Sequence, residues 1–353
     1  MIFRTPTRAA CTFGVAMVFL VATTLLAEHL TGPQQGQVAK LVCEMIESTH
    51  ISQKPIDDAI SAKLVDEFIK TLDPQKLYFL QSDIDRFNRF RTELDDLIKA
   101  GNLDFASGGV SPLVTIWART QGNLKVKGIC ALNSMPLYLN TINPEVKTIK
   151  DFTDKDRIAL PAVRVSLQAV ILQMAAEKMF GAGQEHKLDA WTVSLSHPDG
   201  LAQMMSFKSQ VTAHFTSAPF MYTELADKRV HRVLNSYDVF GGPHTFNVVW
   251  ASAKLYEGEP KIVEAFLTAL KESMKLIHDD PAGMAALWVK ADKSKLTPEA
   301  AEKIIRDPEN KWTLTPEKTM VVADYMSRAK MIPVAPKSWK DMFIDAVHDL
   351  PGS

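Results

Sequence analysis

The pattern of this chain changes once, across Ala100-Gly101-Asn102-Leu103-Asp104-Phe105-Ala106-Ser107-Gly108-Gly109, and this constrains the fold more than any other feature. Before the change the sequence is charged, helical in spacing and sparse in glycine. After it, short apolar runs of strand type alternate with helical ones, punctuated by Gly and Pro. A 3.6-residue apolar repeat lays a stripe on a helix, whereas short apolar runs between helices build a sheet. One architecture does not satisfy both halves. The expectation is an all-α segment over 28–103 joined to an α/β domain over 104–353. A chain of 353 residues has room for both.

Composition narrows the partners. Net charge is -1, with 23% charged residues. A surface that tracks phosphates carries a basic excess, so nucleic acid is not the expected partner. At the start, Arg4 and Arg8 precede an apolar run from Phe13 to Leu26, which suits the core of an export signal ending near Ala27. An uncleaved anchor is the other reading. Once residues 1–27 are removed, Cys43 and Cys130 remain, one on each side of the change. Both lie in apolar runs and are read as buried thiols; no disulfide framework is implied.

In the first piece, Val38, Leu41, Val42, Met45 and Ile46 share a helical face, as do Ile60, Leu64, Val65, Phe68 and Leu72. Asp73-Pro74 closes the second helix, because the residue before Pro is steered out of the helical region. Ser82-Asp83-Ile84-Asp85 opens a third, its acids matched to the helix dipole. The wording from Leu72 to Ile84, with Asp57-Asp58-Ala59-Ile60-Ser61 and Arg91-Thr92-Glu93-Leu94-Asp95-Asp96, resembles the N-terminal helical domain of tail-specific (C-terminal processing) proteases. The Ser nucleophile, Lys base and PDZ domain of that family do not follow. The resemblance therefore implies a helical segment that meets protein partners and does not cut. Tyr78 and Phe79 are read as anchors of a helical hairpin, and the paired acids as caps and surface charge.

In the second piece, strands are expected at 157–160, 191–195, 210–215, 231–236 and 245–250. Helices are expected at 166–180, with Val170, Ile171, Met174, Ala175 and Met179 inward, and at 198–205 and 219–225. The later helices start at or near Pro260, Pro281, Pro298 and Pro316, the usual first-turn position for proline. This alternation predicts a parallel, doubly wound sheet.

Several segments here resemble the solute-binding proteins of ABC importers, of the nitrate/sulfonate/taurine type. They are Asn133-Ser134-Met135-Pro136, Ile158-Ala159-Leu160-Pro161, Ser196-His197-Pro198-Asp199, Ala213 to Phe220, Ser236 to Gly242 and Lys337 to Phe343. The resemblance implies a type II periplasmic-binding fold of two lobes, the second over about 155–240, with a ligand cleft between them and an inner-membrane permease as partner. It further implies that two strand–helix units normally precede Gly108-Gly109, so the first lobe is expected to be truncated, as in a chimera of two families. Ligands of open α/β sheets sit beyond the carboxyl ends of strands. Gly108, Gly109, Ser111, Ser134, Ser166, Thr216, Ser217 and Asp238 are the ligand candidates, and Gly241 and Gly242 the hinge candidates. Ser166, Thr216 and Ser217 read equally as helix caps, and Arg164 either as an anion partner or as a solvated loop residue. His214 and His244 lack ligand spacing and are read as hydrogen-bonded histidines; no metal, cofactor or catalytic residue is expected.

Overall fold

The computed structural model describes residues 105–292 and 295–353. The apolar run of the export signal and the three helices expected before the change, with their possible partner surface, lie outside the described residues.

The alternation after the change is realised as two sheets. In the first, β8 (Asn247–Ala251) lies between β1 (Phe105–Gly109) and β2 (Lys127–Ala131), antiparallel to both. The second runs in the order β5–β4–β6–β3–β7. Its strands are β3 (Tyr138–Thr141), β4 (Ile158–Leu160), β5 (Thr192–Ser194), β6 (Ala213–Thr216) and β7 (His231–Asn235). β4 pairs in parallel with β5 and β6, as the alternation predicts. The expectation of a wholly parallel sheet is corrected at β3, which is antiparallel to β6 and β7. β3 follows β2 without a crossover helix and enters its sheet from the other lobe. It also precedes the 155–240 stretch.

The two sheets share one plan. In each, a strand arriving from the other lobe is sandwiched antiparallel between two others: β6–β3–β7 in one, β1–β8–β2 in the other. Beyond β6 the second sheet continues through β4 and β5. Beyond β1 the first sheet has no further strand among the described residues, so it holds three strands against five. All five residues of β1 are half-buried, as befits an edge. At Gly108 the missing side chain matters, because a Cβ there would lie 2.9 Å from the ring of Trp250.

Four of the five strands of the second sheet, β4 to β7, each feed a helix. These are α2 (Leu167–Phe180), α3 (His197–Met205), α4 (Phe220–Leu225) and α5 (Ser236–Phe240); α1 (Val110–Arg119) follows β1. The first ten residues of α2 are all buried. Met179, expected inward, is instead 42% exposed. A helix of 14 residues is about 21 Å long, while strands of three or four residues span roughly 10–13 Å, so the last turn outruns the sheet beneath it.

The C-terminal helices are α6 (Ala253–Gly258), α7 (Pro260–Asp279), α8 (Pro281–Asp292), α9 (Pro298–Arg306), α10 (Thr319–Arg328) and α11 (Trp339–Met342). α10 starts three residues after Pro316 because Lys318, at φ 54°, breaks the path into the helix. On α7, Phe266 stacks on Phe105 of β1 at 5.0 Å. α11 opens on a capping box of Ser338 and Asp341, and the Trp117 indole donates to the Asp341 carbonyl at 2.8 Å. Just after it, Phe343 forms a parallel bridge to Gly128 and so covers the outer edge of β2.

Two segments cross between the sheets, 132–137 and 241–246. Ser134 bridges them by pairing with Thr245, and it also exchanges backbone hydrogen bonds of 2.7 and 2.8 Å with Lys311. Gly241, at φ 70°, ends α5 in the left-handed region, and Gly242 follows at φ 131°. Both expected hinge glycines thus sit where the chain turns between lobes. Beside them His244 is 1% exposed and stacks on Phe240 at 3.9 Å. Its tautomer follows from its partners. The Thr245 carbonyl at 2.9 Å only accepts, so Nδ1 carries the proton; Nε2 then accepts from the Ser236 hydroxyl at 2.8 Å.

Candidate functional site

The carboxyl ends of β4, β5, β6 and β7 lie on one edge of the second sheet, and each leads into the N-terminus of a helix. Sequence sets this locally. Ser166 caps α2, accepting from Ala169 N–H, and donates to the Ala162 carbonyl at 2.8 Å. Ser196 caps α3, accepting from Asp199 N–H and donating to the Asp199 carboxylate at 2.6 Å. Asn235 accepts from Tyr237 N–H at 2.9 Å. Helix N-termini therefore gather along one edge, the arrangement that receives anionic groups in open α/β sheets.

The N-terminus of α1 faces this edge from the first lobe and touches it. The Ser111 hydroxyl donates to the Val165 carbonyl at 3.1 Å, and a Cβ at Gly109 would meet Leu167 Cβ at 3.1 Å. Val110, Ser111 and Leu167 are fully buried. The lobes are closed on each other here.

The candidate residues divide accordingly. Gly109, Ser111 and Ser166 meet across the lobe junction, but both hydroxyls are engaged by protein. Gly108 packs on Trp250 in β1. Ser134 lies in the crossing, and Asp238 is exposed on the first turn of α5. Arg164 is exposed in the loop before α2, at φ 68°. Ser217 is 5% exposed, and its backbone carbonyl accepts from Met221 N–H at 3.0 Å. Thr216 belongs to a different and richer constellation.

That constellation is a chain of side chains running inward from the edge. Glu224 on α4 and His214 on β6 are both fully buried, with Glu224 Oε1 2.6 Å from His214 Nδ1. Asn140 on β3 donates to Glu224 Oε2 at 2.9 Å. His214 Nε2 lies 3.1 Å from Nδ1 of His197, the first residue of α3. Thr216 Oγ1 is 2.9 Å from the same Nδ1. His197 Nε2 is 3.3 Å from the Gln168 amide on α2, and its ring stacks on Phe220 at 5.6 Å. His197 is only half-buried, so the chain ends at the edge. Burial, and then His214 beside it, hold His197 down to about 3, so this imidazole is neutral. Gly200 makes room for the chain, since a Cβ there would lie 2.6 Å from His214 Nε2.

Sequence reasoning passed over His197, Gln168 and Glu224. The only signal was His197 following a strand directly at a Ser-capped helix start. Glu224 reads as an ordinary helix acid until β6 is laid against α4.

A hollow of about 190 Å³ is lined by Arg157, Val193, Leu195, Gln203, Gln210 and Val211. Within it, Arg157 donates to the Asp154 and Asp156 carbonyls, and nothing else marks it as a site.

Residues 42–113 match the family model of the tail-specific protease N-terminal domain. This match runs through β1 into α1, so the two patterns overlap at the change. A tail-specific protease from Haemophilus influenzae is 31% identical over 103 residues, which are 28% of this chain and 15% of that protein. The chain thus corresponds to a small part of that protease. Among solved structures, the alkanesulfonate-binding protein SsuA from Xanthomonas axonopodis pv. citri, bound to MOPS, aligns with a TM-score of 0.53 at 15% identity. It covers 78% of this chain and 92% of its own. The periplasmic aliphatic sulphonate-binding protein SsuA from Escherichia coli gives 0.53 at 14% identity, covering 79% and 96%. A Candida albicans protein with the generic periplasmic-binding fold gives 0.51 at 13%, covering 69% and 78%. At these identities the likeness is one of fold. The α/β part of this chain has the periplasmic-binding-protein fold, and the segment before it carries the pattern of the protease N-terminal domain.

Proposed function

We propose that residues 104–353 act as the solute-binding component of an ABC importer, taking a small anionic solute of the sulfonate, nitrate or taurine type. The observation that carries this reading is the shared plan of the two sheets. They are joined by two crossings, with the helix N-termini of one lobe gathered opposite α1 of the other. On this reading the chain is exported to the periplasm, its first 27 residues are removed near Ala27, and it works with an inner-membrane permease and not as an enzyme. Reversible binding between lobes needs no catalytic group. Affinity is expected to be weak on the reading that the first lobe is truncated.

The match over residues 42–113 favours a second role for the N-terminal segment, as a helical piece that binds protein partners without cutting them. Thermal melts of the chain with and without ethanesulfonate, taurine or nitrate separate the two. A solute at a hundred times its dissociation constant adds about 2.7 kcal/mol of stability. A saturable rise of the midpoint supports import. A cooperative melt that none of the solutes moves refutes it in favour of partner binding.

A further inference from the structure

When two lobes part about a hinge, the contacts at the pivot persist and those on the far side of the junction break. The pivot here is made of backbone. Ser134 pairs with Thr245 and with Lys311, and Thr245 N–H donates to the Glu317 carbonyl at 3.0 Å. α10 starts just after Glu317, and its 10 residues carry it about 15 Å away from the pivot. Along that length it packs on α1 of the first lobe and on α2 of the second. Whatever its far end holds therefore acts on a long arm.

Two contacts stand at that far end. Arg328, the last residue of α10, forks onto Glu177 of α2, with Nη1 donating to Oε1 at 2.9 Å and Nη2 to Oε2 at 3.2 Å. About one turn earlier, the Tyr325 hydroxyl lies 3.4 Å from Gln173 Oε1 of α2, a long contact between two buried side chains. The Gln173 amide has one orientation open to it. Its Nε2 donates to both oxygens of Asp189, at 3.2 and 3.1 Å, so its oxygen must face Tyr325. The Arg328 guanidinium also lies over the Tyr325 ring, 5.7 Å from its centre. The fork itself is open to water, with Arg328 63% and Glu177 24% exposed, and beneath it the junction is dry. A single exposed ion pair shifts an equilibrium by no more than about fivefold. Paired end to end, closing over a buried polar contact and set far from the pivot, this one is placed to govern whether the lobes part. Nearer the helix starts, the buried Ser111 hydroxyl on the Val165 carbonyl joins the same two lobes.

We propose that Arg328, closing over Tyr325 and forked onto Glu177, is a latch that keeps the two lobes shut without a solute, so that the junction opens only when the fork parts. The latch needs no solute and stands apart from the solute-binding reading: it holds for this chain whether or not a solute binds between the lobes.

The test uses the full chain carrying Ser111→Cys, with no solute present. N-ethylmaleimide reaches a thiol at position 111 only when the lobes part, so with fast reclosing the labelling rate follows the open population. Cys130, a fully buried thiol of β2, reports unfolding in the same sample, and the two sites are read separately by peptide mass. Arg328→Glu replaces an attraction with a comparable repulsion and is expected to speed labelling at position 111 by about five- to thirtyfold, with Cys130 unchanged. Glu177→Arg alone is expected to do the same. Together the two substitutions rebuild the pair in the opposite sense, and the rate returns to within about twofold of its starting value. No acceleration in Arg328→Glu, an acceleration that the combined swap does not reverse, or one that Cys130 shares overturns the latch. So does labelling at position 111 as fast as at an exposed thiol when Arg328 and Glu177 are both in place, since the lobes would then stand open.

Discussion

His244 makes acid stability a quantitative test of how the crossing between the sheets is held. Burial, partly offset by the Thr245 carbonyl and reinforced by Lys318, brings its pKa down from 6.5 to about 4. A histidine held low in the folded state is protonated more readily in the unfolded chain. Below about pH 6.5 the unfolded state therefore binds more protons, and stability falls as pH drops, until the folded value near 4 is passed. Between pH 7.5 and pH 4.5 this one group removes about 2.5 kcal/mol, at roughly 1.4 kcal/mol per tenfold. Carboxylates titrate in the same window, so the measurement is a difference. Urea unfolding followed by tryptophan fluorescence, on the unaltered chain and on His244→Asn, isolates the histidine. Asparagine retains a donor for the Thr245 carbonyl and an acceptor for Ser236, and it loses the stack on Phe240 at every pH. The unaltered chain is expected to lose about 2.5 kcal/mol more than the variant between the two pH values. Equal losses in the two proteins would refute the account of His244 as a neutral, doubly hydrogen-bonded residue of the crossing.

Two further substitutions test packing around the site. Gly200→Ala places a Cβ 2.6 Å from His214 Nε2 and, by overpacking, is expected to cost about 1–3 kcal/mol in urea unfolding and to displace the His214 ring signals. Tyr138→Phe removes a 2.5 Å hydrogen bond to Glu309, which also accepts from Asn235. A loss of about 1.5–3 kcal/mol is expected from the same measurement, and a loss under 0.5 kcal/mol would mean that water replaces the hydroxyl.

Most element positions were legible because they rest on local signals. The strands at 157–160 and 191–195 and the helices from Pro260, Pro281 and Pro298 stand within a few residues of where spacing and proline put them. Ser166 read equally as a cap and as a ligand donor, and the structure shows it capping α2. Local signals failed where a neighbour in space decided the matter. Nothing in Tyr138–Thr141 says that it runs antiparallel within the second sheet, because strand direction depends on the lobe from which the chain arrives. Ser111 was a ligand candidate by its place after two glycines, yet its hydroxyl is engaged by Val165 across the lobe junction.

The amino-acid order alone determined that two patterns meet near Gly101 to Ala106 and that the second is α/β. These follow from periodicity and wording carried by consecutive residues. Tertiary structure alone decided that β8 lies between β1 and β2 and that the lobes close over Ser111. It also aligned Glu224, His214, His197 and Gln168 into one chain. These four residues come from α4, β6, α3 and α2, and hydrogen bonds of about 3 Å between them exist only once separate strands and helices have packed.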